Sequence, residues 1–64
     1  MKKFILINYE FKFSSICDNE KEVFEGCGYE EEYENGMNFK DLLEAVKGSY
    51  EVIAFTGTIE FLND

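Results

Sequence analysis

The run from Lys3 to Phe13 is the strongest constraint on the fold, because its pattern is that of a β-strand. Ile5, Ile7, Tyr9, Phe11 and Phe13 fall on one face at a period of two. Phe4 and Leu6 open the other face, which continues with the polar Asn8, Glu10 and Lys12. A strand that starts apolar on both faces belongs in the middle of a sheet. The 64 residues leave room for one domain, spanning 1–64. A chain of this size buries only about 60% of the surface it exposes when unfolded. Seven Phe and four Tyr supply the large side chains that a short chain needs for a core.

The remaining elements follow from local signals. Ser14 to Asn19 reads as a polar connection, and Glu20 to Tyr29, extending toward Tyr33, as a charged edge strand. Val23, Cys27, Tyr29 and Tyr33 share one parity there, and Gly26 and Gly28 mark a bulge or a close backbone approach. Asn35-Gly36 signals a turn. Asn38 is a suitable N-cap for a helix, its side chain placed to accept from the N–H of Lys40 or Asp41. Met37 and Leu42 hold the two positions of a hydrophobic staple. Phe39, Leu42, Leu43 and Val46 form one apolar stripe, and Gly48 is placed to end the helix in a left-handed conformation. Tyr50 to Leu62 reads as a last strand with a bulge or bend at Gly57.

The expected fold is α+β, a small β-β-α-β domain. A right-handed crossover through the helix sets the third strand parallel to the second and antiparallel to the first. The sheet is then three-stranded and mainly antiparallel, in order 2-1-3, with one short helix on one face. That leaves the other face open, where Phe4, Leu6, Val52 and Ala54 are expected to form an apolar patch suited to homodimerisation.

Charge is concentrated. Of fourteen acidic residues, eight lie between Asp18 and Glu34 against the single base Lys21, a local net of −7 in a chain of −8. A concentrated field selects partners, whereas a diffuse one serves solubility. Its sign disfavours direct binding to nucleic acid or to anionic membranes. No stretch approaches the roughly 18 apolar residues of a membrane span, and the short apolar run after Lys3 is not a signal-peptide core, so a cytoplasmic location is expected.

The chain lacks His, Arg and Trp. A Ser-His-Asp triad and a Cys-His pair are therefore excluded. Cys17 and Cys27 lack the spacing and partners of a zinc site, and they read as one half-buried thiol and one loop thiol. Asp18-Asn19-Glu20-Lys21-Glu22 offers alternating oxygens, but Val23 stands where a calcium loop needs Gly, and Tyr29 where it needs a bidentate Glu. No cofactor or metal is expected.

The acidic segment with its tyrosines remains as the candidate binding face: Glu20, Glu22, Glu25, Tyr29, Glu30, Glu31, Glu32, Tyr33 and Glu34. Tyr adds contact area at low entropic cost. In extended chain, carboxylates recur about every 3.3 Å, close to the roughly 3.4 Å charge spacing of one DNA strand. A solvated, charge-blunted edge is the competing reading. Small size, strong acidity and the lack of catalytic residues resemble the small inhibitors that phages use against host defence, the anti-CRISPR and anti-restriction proteins. Some of these are DNA mimics. The resemblance implies a non-catalytic protein-binding inhibitor whose partner is a basic, nucleic-acid-binding host defence protein. A structural module acting by homodimerisation or strand addition is the alternative.

Overall fold

The computed structural model describes residues 2–63. It is α+β, a four-stranded, wholly antiparallel sheet with three short helices between its second and third strands. The elements are β1 (Lys3–Asn8), β2 (Phe13–Cys17), α1 (Glu20–Gly26), α2 (Glu30–Glu34), α3 (Phe39–Val46), β3 (Tyr50–Phe55) and β4 (Ile59–Phe61). The sheet order is β2-β1-β3-β4. The first strand is central, and β2 and β3 flank it, each antiparallel to it. A fourth strand and two further helices correct the three-stranded, one-helix expectation.

The first strand stops earlier than its alternation implies. Asn8 Oδ1 accepts from the N–H of Phe11 at 2.8 Å, and the Asn8 carbonyl accepts from the N–H of Lys12 at 2.9 Å. Lys12 takes a left-handed φ of 56°. These contacts turn the chain through Tyr9–Lys12, so Phe13 begins β2 and pairs with Asn8. Asn8 is only 7% exposed, and its buried polar group is satisfied within the turn. Ser14 and Ser15 are strand residues, not a loop, because β1 supplies their backbone pairing.

The segment from Glu20 to Glu34 is helical, not an edge strand. Asn19 caps α1, accepting from the N–H of Glu22 at 2.9 Å. Val23, Phe24 and Cys27 bury one side of α1 at helical spacing. Both α1 and α2 end on paired hydrogen bonds around a left-handed glycine. Gly28 (φ 81°) donates to the Glu25 carbonyl and Tyr29 to that of Phe24, at 3.1 and 2.8 Å. Gly36 (φ 94°) donates to Tyr33 and Met37 to Glu32, at 3.1 and 2.9 Å. Gly26 is a close approach: a Cβ there would stand 2.7 Å from Leu6 Cδ2.

Helix α3 follows its local signals, with Asn38 Oδ1 accepting from the N–H of Asp41 at 2.8 Å and Leu42 and Val46 buried. Its end differs from expectation. Gly48 is not left-handed; Lys47 keeps right-handed helical angles and Ser49 donates to the Val46 carbonyl at 2.9 Å. The expected long final strand is a hairpin, reversed at Gly57 (φ 112°). Beyond β4, the Asn63 side chain acts as a further rung on β3. It accepts from Val52 N–H at 3.0 Å and donates to the Tyr50 carbonyl at 2.9 Å.

The two sheet faces are the reverse of those expected. Phe4, Leu6, Val52 and Ala54 lie in the core with Val23, Phe24, Leu42 and Val46 from the helices. They do not form an open patch. Ile5, Ile7, Ile53 and Phe55 point to the uncovered side. The result is a two-layer slab with extents of 31 × 28 × 18 Å.

Candidate functional site

The nine residues of the acidic segment divide into fold-forming and surface groups. Glu22 belongs to the first: its carboxylate accepts the Asp18 backbone N–H at 2.9 Å, while its own N–H is held by Asn19. Tyr29 is half-buried against the core, and its N–H closes α1. Tyr33 packs its ring on Phe24 at a centroid distance of 5.0 Å and a tilt of 58°, leaving the residue 38% exposed. It is thus anchored on one side and open on the other.

Glu20, Glu25, Glu30, Glu31, Glu32 and Glu34 are exposed. Glu30, Glu31 and Glu32 occupy the first turn of α2, where carboxylates suit the helix dipole. Glu34 stands one turn beyond Glu30 on the same side of that helix. Among the described residues the ion pairs are Lys3–Asp18 at 2.9 Å and Lys47–Glu44 at 3.5 Å. None neutralises a glutamate of α2. The hydrogen bond from Lys3 to Asp18 raises the Lys3 pKa, with further support from the charges of Asp18 and Glu22.

This geometry corrects the extended-chain spacing. A helix rises about 1.5 Å per residue and turns through roughly 100°, so Glu30, Glu31 and Glu32 fan out instead of forming a line at phosphate intervals. The charges cap the short helix that also carries Tyr33. Helix α2 packs on α1, which itself lies on β1 and β2, so the acidic cap sits in the helical layer.

Both cysteines are free and buried, in place of the half-buried and loop positions expected. Burial, followed by the charges of Glu22 and Asp18, pushes the Cys17 thiol up. Burial, followed by the neighbouring Cys17, pushes Cys27 up to about 11. A thiol so placed carries little thiolate at neutral pH, and thiolate is the nucleophilic form. Among the described residues, no three acidic or thiol side chains converge as a metal site requires. Two shallow depressions of about 410 and 420 Å³ flank the β1–β2 turn. The first holds Glu10, Ser49 and Tyr50, and the second Lys12 and Ser14.

The sequence reading missed Phe24 as the base under Tyr33. Its signal was the i, i+1, i+4 spacing of Val23, Phe24 and Cys27 after Asn19. Among the described residues, no helix is long and apolar enough to cross a membrane. No protein-family model matches the chain, and comparison with curated proteins and with solved structures finds no match. Fold and surface together define a small α+β domain that carries an acidic, tyrosine-bearing cap on its helical layer.

Proposed function

We propose that this protein is a non-catalytic inhibitor that docks its acidic cap on a basic, nucleic-acid-binding protein, in the manner of phage anti-defence proteins. The observation that carries this reading is the set Glu30, Glu31, Glu32 and Glu34, which has no ion-pair partner among the described residues, on the helix that holds the anchored ring of Tyr33. Such a set steers a cationic surface into encounter, and the aromatic ring offers contact area once it arrives. It stands in for nucleic acid by its charge and not by strand-like spacing. High Cys27 pKa and the lack of His favour binding over nucleophilic catalysis.

Affinity capture from bacterial lysate, followed by mass spectrometry, identifies the target. The decisive measurement is then titration of that target with the wild type and with Glu30→Lys/Glu31→Lys/Glu32→Lys. The reading expects a nucleic-acid-binding target, competition by nucleic acid, and loss of affinity of about 100-fold or more in the variant. A correctly folded variant that binds normally overturns it.

The alternative, an assembly module acting by homodimerisation or strand addition, loses its Phe4–Leu6 patch, since both residues are buried, but keeps the sheet edges β2 and β4 for strand addition. The opposite sheet face provides a different basis for self-association.

A further inference from the structure

The uncovered sheet face carries a continuous apolar row across all four strands. Register places Ile16 beside Ile5, Ile5 beside Ile53, and Ile53 beside Phe61. Phe55 and Ile59 pair in the adjoining row. Exposure of this face is greatest on the edge strands, where Ile16, Ile59 and Phe61 are 69, 68 and 55% exposed, while Ile5 and Phe55 are half-buried and Ile53 is 8% exposed. Single exposed apolar side chains are ordinary, but a contiguous set on one flat face marks an interaction surface. The charges on this side stand at its ends, with Lys3 held by Asp18 near one and Glu51 near the other.

We infer that this face is the interface of a homodimer, in which two copies pack sheet against sheet. Area is the first argument. Four strands about 4.8 Å apart, with central strands of six residues at roughly 3.3 Å each, present a face of about 20 by 20 Å. Covering it with its own copy removes about 800 Å² from water, the small end of the interface range, where association is weak and is seen only at high protein concentration.

Charge is the second argument. The acidic cap lies in the helical layer, on the other side of the sheet. Two slabs each 18 Å thick, stacked through their open faces, hold their acidic caps about 30 Å apart, several times the roughly 8 Å Debye length at physiological salt. A chain of net −8 therefore meets a second copy here with little repulsion. An anionic membrane would repel the same chain, and a basic partner would be drawn to the helical side. Apolar burial also adds stability to a domain too small to bury most of its surface, and makes that stability rise with concentration.

Sedimentation equilibrium of the full chain, from micromolar to millimolar concentration, tests the inference. The expected result is a monomer–dimer equilibrium that persists in high salt and is retained by Glu30→Lys/Glu31→Lys/Glu32→Lys. Phe61→Lys and Ile16→Lys should each raise the dimer dissociation constant about tenfold or more, with circular dichroism unchanged. Ile59→Thr, a milder change on the three-residue β4, should weaken the dimer in the same direction and guards against a folding defect in the lysine variants. A wild-type mass that stays monomeric at millimolar concentration overturns the inference. So does a dimer unaffected by all three substitutions, or one that dissociates with salt. The acidic-cap reading stands or falls separately, on the glutamate variant and its target.

Discussion

The carboxylate of Glu22 accepts the backbone N–H of Asp18 at 2.9 Å, reaching back across the turn that begins α1. Asn19 returns the contact by accepting from the N–H of Glu22. This reciprocal pair is a capping box shifted by one residue: it satisfies the open helix donor of Glu22 and the N–H of the residue just before the cap. It also separates Glu22 from the exposed glutamates of the same acidic segment.

Asn19→Ala should lower stability by about 1 kcal/mol, the usual cost of a lost N-cap. Glu22→Gln should retain most of the stability, because an amide oxygen can accept the same hydrogen bond, whereas Glu22→Ala should not. Urea denaturation of the three variants checks this. Equal stability of Glu22→Ala and wild type would remove the capping role.

The β1–β2 turn depends on Asn8. Replacing it by Ala deletes the acceptor for Phe11 N–H and leaves a small void under the hairpin. A loss of about 1–2 kcal/mol is expected. Lys12→Gly should act in the opposite sense, by up to about 1 kcal/mol, since Lys12 holds a left-handed conformation that glycine adopts freely. Thermal unfolding of both variants should move the midpoint in opposite directions.

Stability should fall in alkali. Cys27 keeps its proton to about 11 when folded, against an ordinary value of 9.0, so above pH 9 the unfolded chain is the first to release it. The unfolded state then binds fewer protons than the folded one, and stability declines as pH rises from about 9 to about 11. Cys17, raised by burial, acts in the same sense. So does Lys3, whose raised pKa gives a contribution complete below 10.5 and lost as pH passes through the folded value. Denaturant midpoints across this range should decrease, with a shallower slope in Cys27→Ala. A midpoint that rises with pH would sink the assignment.

Elements encoded within a few residues were legible. Asn38, Met37 and the stripe from Phe39 to Val46 defined α3, because a cap, a staple and a helical face all lie within one short segment. The same signals introduce α1 at Asn19-x-x-Glu22, yet the shared parity of Val23, Cys27 and Tyr29 also fits a strand. What breaks that tie is the left-handed geometry of Gly28 and Gly36, which closes two helices in succession. The acidic segment was legible as a charge cluster but not as a cap, since its shape depends on Tyr33 resting on Phe24.

The sequence by itself determined a central first strand, a capped α3, and a strongly acidic stretch from Asp18 to Glu34. Only tertiary structure decided which side of β1 the helices cover. Phe4 and Leu6 compete with Ile5 and Ile7 as core faces, and alternation alone ranks neither. The choice falls to contacts distant in sequence. Gly26 lets α1 approach Leu6, and the buried Asn8 folds the chain back so that Cys17 lies beside Phe4 under that helix. Once that face is filled, Ile5, Ile16, Ile53 and Phe61 are left together on the other.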